Sequence, residues 1–140
     1  MLILASPTFV TQNWDNIYKM FKPALFRPSS TLKANLLRGI ISNVMQCWLC
    51  ARDEVGVGMA LTNVTIDPFS QTRDLMVYAV VTNGNTVSND WDDSLDTLMA
   101  FAKNKGCSRI TAFSNNRKLI SLLNKFNADT ETRFISWEVY

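Results

Sequence analysis

Few residues of this chain carry side chains that could do chemistry, and their spacing limits what that chemistry can be. There is no histidine, which excludes a Ser-His or Cys-His nucleophilic pair. The three cysteines are Cys47, Cys50 and Cys107. Cys47-Trp48-Leu49-Cys50 has the CxxC spacing of redox pairs and of half a zinc site. Zinc takes about four ligands, so Cys107 and a carboxylate would have to complete the set. The residues around the pair read as a strand, which sends positions three apart to opposite faces. The expectation is packing cysteines, small and buried, with a redox pair as the alternative. Cys107 follows the end of a predicted helix and gains nothing from a dipole that favours thiolates at N-termini. Three thiols cannot all pair, which argues against a disulfide framework.

The acidic group Asp90, Asp92, Asp93 and Asp96 could collect a divalent cation. Asp92 and Asp96 lie one helical turn apart and can share a face. The spacing does not match a calcium loop, and helix capping with a solvated face accounts for these residues more simply. Tyr78 is the only tyrosine on the predicted central strand and could reach a cleft. A half-buried strand aromatic is the simpler expectation. No P-loop or dinucleotide fingerprint is present.

These residues must be positioned by elements that the hydrophobic pattern outlines. Leu2 to Ala5 reads as a first strand. Ser6-Pro7 reads as a helix start, serine capping free amides and proline suiting the first helical position. Val10, Trp14, Ile17, Tyr18 and Phe21 then share one helical face, ended by Pro23 and Pro28. Ser29, Ser30 and Thr31 offer a cap to a second stripe, Leu32, Leu36, Leu37, Ile40 and Val44. Residues 47–52 and 57–66 read as a hairpin that turns at Asp53-Glu54. Residues 75–81 are apolar on both faces, as a central covered strand must be. After a polar loop, Trp91, Leu95, Leu98, Met99 and Ala102 mark a helix that Gly106 ends. Residues 108–113 read as a strand. Ser114 or Asn115 can cap a last helix with face Leu119, Leu122, Leu123 and Phe126. Residues 132–139 alternate, which predicts a terminal strand with Ile135, Trp137 and Val139 toward the core. The order β-α-α-β-β-β-α-β-α-β implies an α/β fold, antiparallel in its first half with a parallel, right-handed β-α-β crossover in its second.

The composition is that of a chain that buries a core: 47% apolar, 11% aromatic and 19% charged over 140 residues. A single domain, 1–140, is expected. Net charge is +2, and no Lys/Arg run makes a nucleic-acid-binding face. Lys33 with Arg38, Lys103 with Lys105, and Arg117 with Lys118 read as solvated helix faces. The start lacks a positive n-region. The longest apolar stretch, 36–51, is broken by Arg38, Asn43 and Gln46, short of the ~20 residues that span a bilayer. The expectation is neither secreted nor transmembrane: cytoplasmic or virion-associated.

The order of elements resembles the GNAT acyltransferases, most closely over 75–140. In that family a central strand leads into a glycine-rich loop and a helix, and a further strand and helix follow. Ser94-Leu95, Leu98, Ala102 and Gly106-Cys107 fall in register, as do Ile110, Asn116, Leu119, Ile120, Leu122 and Lys125. The chemical landmarks differ. In family register the loop's basic residue is Thr86, and its glycine-type positions are Asn89 and Trp91. Glycines let backbone amides approach pyrophosphate. Trp91 would fill that space, and Asp90, Asp92 and Asp93 would repel a phosphate while stabilising the helix start themselves. Gly84 reads as a tight turn. Leu123 replaces the family's acid, a tyrosine, and Asn127-Ala128 replaces Gly-Phe. This eroded pattern is similar to the small GNAT-like virion proteins of short-tailed phages, which also carry Leu at the tyrosine position and Ala near the last helix's end.

The resemblance implies a non-catalytic interaction or assembly module with a protein partner, among phage structural proteins, and without cofactor. Exposed aromatics would mark its contact, with Trp48, Phe69 and Tyr140 as candidates. The alternative is a divergent acetyl-CoA-dependent N-acyltransferase. The pantetheine arm would then enter between the central strand and the next. Its contacts would fall to Val80, Val81, Thr82, Asn83, Asn85 and Asn116.

Overall fold

The computed structural model describes residues 1–84, 86, 88–114, 117–132 and 135–139, with the backbone alone at 88, 118 and 122. A mixed sheet of five strands runs in sequence order, β1 (Leu2–Leu4), β2 (Met45–Arg52), β3 (Val55–Ile66), β4 (Arg73–Thr82) and β5 (Arg109–Ala112). The first four are antiparallel neighbours; β5 pairs parallel to β4. Helices α1 (Pro7–Gln12), α2 (Trp14–Phe21) and α3 (Ser30–Ile41) precede β2, α4 (Ser88–Asn104) links β4 to β5, and α5 (Arg117–Lys125) follows. This is the expected α/β architecture. None of the described helices is long and apolar enough to cross a membrane.

The first helical face is split in two. Asn13 leaves helical geometry at φ −118° and ψ 15°, and α2 restarts at Trp14. The stripe nonetheless holds: Val10, Trp14, Ile17, Tyr18 and Phe21 are all buried. Ser6 accepts from the Phe9 amide and Ser29 from the Leu32 amide, so both predicted caps form.

Two cores sandwich the sheet. On one face α1–α3 pack Val10, Phe21, Leu36 and Ile40 against Cys47, Leu61 and Ala79. On the other, Leu98 and Ala102 of α4 cover Leu2, Trp48, Cys50, Ala60 and Leu75. Cys47 and Cys50 therefore belong to opposite cores, as strand periodicity requires. Burial pushes the Cys47 thiol up to about 11, an unreactive packing residue at neutral pH. No group of three metal-ligating side chains comes together among the described residues.

Three expectations are corrected. Trp48, a proposed surface aromatic, is 3% exposed. Its indole donates to Thr62 Oγ1, which donates to Gln46 Oε1, and Phe101 meets its ring edge-on at 5.1 Å. Val44 and Met99 are exposed: Val44 lies past the end of α3, and Phe101 takes the place on Trp48. The terminal strand is not formed over 135–139. Ile135, Trp137 and Val139 are 71%, 85% and 97% exposed.

The β2–β3 hairpin turns on Asp53 and Glu54, with φ of +52° and +65°. Two consecutive left-handed residues make the turn that suits the sheet twist, and it favours glycine at its second position. Left-handed geometry costs about 1–2 kcal/mol for a residue with Cβ, and glycine's freer unfolded chain offsets about 0.4–1 kcal/mol of that. Glu54→Gly should therefore stabilise the protein by about 0.5–1 kcal/mol, seen as a higher urea midpoint at unchanged slope.

Candidate functional site

The site is built where β4 and β5 part. Asp74, Leu75, Met76 and Val77 pair with Arg109, Ile110, Thr111 and Ala112. Beyond Val77, β4 continues to Thr82 while β5 ends, so 78–82 are laddered only to β3. A bulge sits at this divergence. Leu61 pairs with Ala79 and Thr62 with Val77, which leaves Tyr78 as an extra residue on β4. Such a residue bends its strand and raises the local twist. Tyr78 packs half-buried against the α1–α3 core, as the simpler expectation held.

Val80 and Val81 lie along the divergent stretch, Val80 toward the α4-side core and Val81 toward the opposite one. Thr82 is exposed and pairs with Gly58. Asn83 donates its side-chain amide to Gly56 O at 2.8 Å and its backbone amide to Val57 O at 3.2 Å, tying the strand's exit to β3. Gly84 takes φ +84°, the turn expected of it. Asn85 and Asn116 lie outside the described residues. Of the six sequence-predicted contacts, the strand therefore brings Val80, Val81, Thr82 and Asn83 to one edge, and Asn83 is engaged on the β3 side.

The start of α4 carries the residue pair that sequence reasoning missed. Among the acids there, Asp92 and Asp93 are exposed and Asp90 is 5% exposed. Asp90 Oδ2 lies 2.7 Å from Arg52 Nη1 at the end of β2. The pair joins the helix's first turn to the sheet; one turn further on, Ser94 Oγ lies 3.6 Å from Cys50 Sγ on the same strand. A helix N-terminus attracts an anion through its free amides and dipole. Here the chain supplies that anion itself, already neutralised by an arginine. The acid in the helix's first turn was legible in Asp90. Its partner was not, because 38 residues separate the two.

Coenzyme A would place a pyrophosphate at this helix start. A buried carboxylate and Trp91, half-buried beside it, do not fit that group. The strand divergence beside Val80–Thr82 does suit an extended arm, since its backbone has no β5 partner. Leu123 is half-buried on α5 and offers no hydroxyl.

No family model and no curated protein matches the chain. Solved structures do. An aminoglycoside acetyltransferase from an uncultured soil metagenomic sample superposes with TM-score 0.73 at 13% identity, covering 100% of this chain and 98% of that one. A GNAT family acetyltransferase of Staphylococcus aureus gives 0.69 at 14% identity over 99% and 98%. The enzyme AAC(6')-Iy, solved with a coenzyme A bisubstrate analogue, gives 0.73 at 11% identity over 100% and 97%. Full coverage in both directions, with a mixed five-stranded sheet flanked by helices, means that this chain has the GNAT acetyltransferase fold.

Proposed function

We propose that this chain is a non-catalytic member of the GNAT fold, used as an interaction or assembly module in a phage particle or during its formation. The Arg52–Asp90 pair carries the reading. It puts a buried carboxylate, held on an arginine, in the first turn of the helix that would have to receive a pyrophosphate. Leu123, where an acyltransferase of this fold would carry its acid, supports the same conclusion. The phage setting comes from Leu123 and Ala128, which the chain shares with small GNAT-like virion proteins. Of the three candidate contact aromatics, Phe69 is 96% exposed on the β3–β4 turn and open to a partner. Tyr140 lies outside the described residues.

A second reading, a divergent acetyl-CoA-dependent N-acyltransferase, is favoured by the β4–β5 divergence and the Tyr78 bulge. These lie in a fold whose neighbours in solved structures include acetyltransferases. Val80, Val81, Thr82 and Asn83 would then line the arm.

Calorimetry with acetyl-CoA, coenzyme A and desulfo-coenzyme A at millimolar ligand separates the two. The expected outcome is no binding tighter than about 1 mM, roughly 4 kcal/mol. Micromolar binding of acetyl-CoA, followed by acetyl transfer to an amine, would put the enzyme reading first.

A further inference from the structure

The sheet begins on an edge that its own sequence does not protect. β1 is laddered to β2 alone, with no further strand beside it among the described residues. Natural edge strands are commonly blunted by a lysine, a proline or a bulge. Met1 to Ala5 carries none of these and is apolar at every position.

The ladder with β2 decides which backbone groups face outward. The Met1 amino group donates to Ala51 O at 2.7 Å, and the Ala51 amide donates back to Met1 O at 2.9 Å. The Ala5 amide donates to Cys47 O at 2.8 Å. In an antiparallel pair such exchanges fall on every second residue. Met1, Ile3 and Ala5 therefore bond inward, and the amides and carbonyls of Leu2 and Leu4 point away from the sheet. Side chains alternate in the same way. Leu2 belongs to the α4-side core, and Leu4 shares its face while 47% exposed. Ala5 belongs to the α1–α3 core, and Met1 and Ile3 share its face while 70% and 48% exposed. The edge is thus apolar on both faces and open along its backbone.

This pattern is its own complement. A two-fold axis through Ile3, perpendicular to the sheet, brings β1 antiparallel to a second β1. Leu2 then faces Leu4 of the second copy, and the outward amides and carbonyls of both can exchange hydrogen bonds. Ile3 faces its own equivalent at the non-bonded position, where Cα atoms approach to about 4.5 Å. Leu4 is carried to the rim of the second copy's α4-side core. A partner strand must be uncharged and apolar on both faces over this length. Of the two edge strands among the described residues, β1 meets that need and β5, which opens with Arg109, does not.

We propose that this protein self-associates through β1, two copies joining their sheets edge to edge by antiparallel β1–β1 pairing. An isologous contact satisfies both edges at once. It stands apart from the coenzyme question, because β1 lies across the sheet from the β4–β5 divergence. The strand is short, so the dimer should be small in area and reversible.

Sedimentation velocity on the full chain, from low concentration to the solubility limit, tests this with Leu4→Pro and Ile3→Lys. Leu4→Pro removes an amide that the ladder with β2 does not use, a position where edge strands tolerate proline. Ile3→Lys keeps every backbone group and sets like charges opposite each other across the axis. Circular dichroism and thermal melts check that each variant folds. The expected result is a concentration-dependent dimer whose dissociation constant rises on the order of tenfold or more in each variant, since the axis doubles every change. Hydrogen exchange should slow at the Leu2 and Leu4 amides in the dimer only, while those of Ile3 and Ala5 are slow in both states. A chain monomeric at every concentration overturns the proposal. So does a dimer that either folded variant leaves unchanged, or a monomer whose Leu2 and Leu4 amides are already slow, which would mean that the edge is covered within the chain.

Discussion

Phe21→Ala should lower stability by about 3–5 kcal/mol. Phe21 is fully buried, the last residue of α2, where the helix presses on the sheet beneath Leu61 and Ala79. Removing the ring forfeits its transfer free energy and leaves a cavity that a sheet on one side and α3 on the other can close only in part. Against a typical total of about 5–15 kcal/mol, this is a large fraction. The melting temperature should fall by roughly 10–20 °C for a chain of this size. Phe21→Leu keeps most of the volume and should cost much less, about 1–2 kcal/mol. Urea titrations of the three proteins, with equal slopes, check the ordering. If Phe21→Ala cost as little as Phe21→Leu, α2 would not be the anchor of this core.

Arg52→Ala should cost about 2 kcal/mol, although a pair between charged side chains at a surface is worth only ~0–1 kcal/mol. The difference lies in what the substitution leaves behind. Asp90 has a side chain 6% exposed, whereas that of Arg52 is 38% exposed. Stranding a buried carboxylate costs about 3–5 kcal/mol where the pair is wholly enclosed. Here water reaches the arginine side, and the helix dipole offsets part of the loss by about 0.3–1 kcal/mol. The effects are expected to be unequal: Arg52→Ala takes the cation away from the buried carboxylate, while Asp90→Ala takes the carboxylate away from a cation that water can solvate. A double-mutant cycle on urea midpoints measures the coupling. A coupling near zero would remove the structural role assigned to this pair, and with it the main support for the non-catalytic reading.

Much of the fold was legible in the residues because its signals are local. Serine caps at Ser6 and Ser29, the run over 75–81 apolar on both faces, and the turn at Asp53-Glu54 all depend on neighbours a few positions away. The same local reading placed Cys47 and Cys50 on opposite faces without knowing what covered either. The candidate site was legible by half. Asp90 as the helix's own anion follows from its position at the helix start, while Arg52 as its partner required β2 and α4 to meet. The Tyr78 bulge has no sequence signature, because it is a mismatch of register between two strands.

The errors share one cause. Trp48 was read as a surface aromatic and residues 135–139 as a core strand, and the structure reverses both. Alternation says which side chains share a face, but not whether that face is covered. Trp48 is covered because α4 crosses back over β2 and brings Phe101 onto its ring. Ile135, Trp137 and Val139 are uncovered because 135–139 pair with no strand of the sheet among the described residues. By itself, then, the amino-acid sequence determined most of the elements and their order, since each rests on residue type and short spacing. The tertiary structure alone decided which faces are buried, where β4 and β5 part and which charge neutralises Asp90, since each depends on residues that only the folded chain brings together.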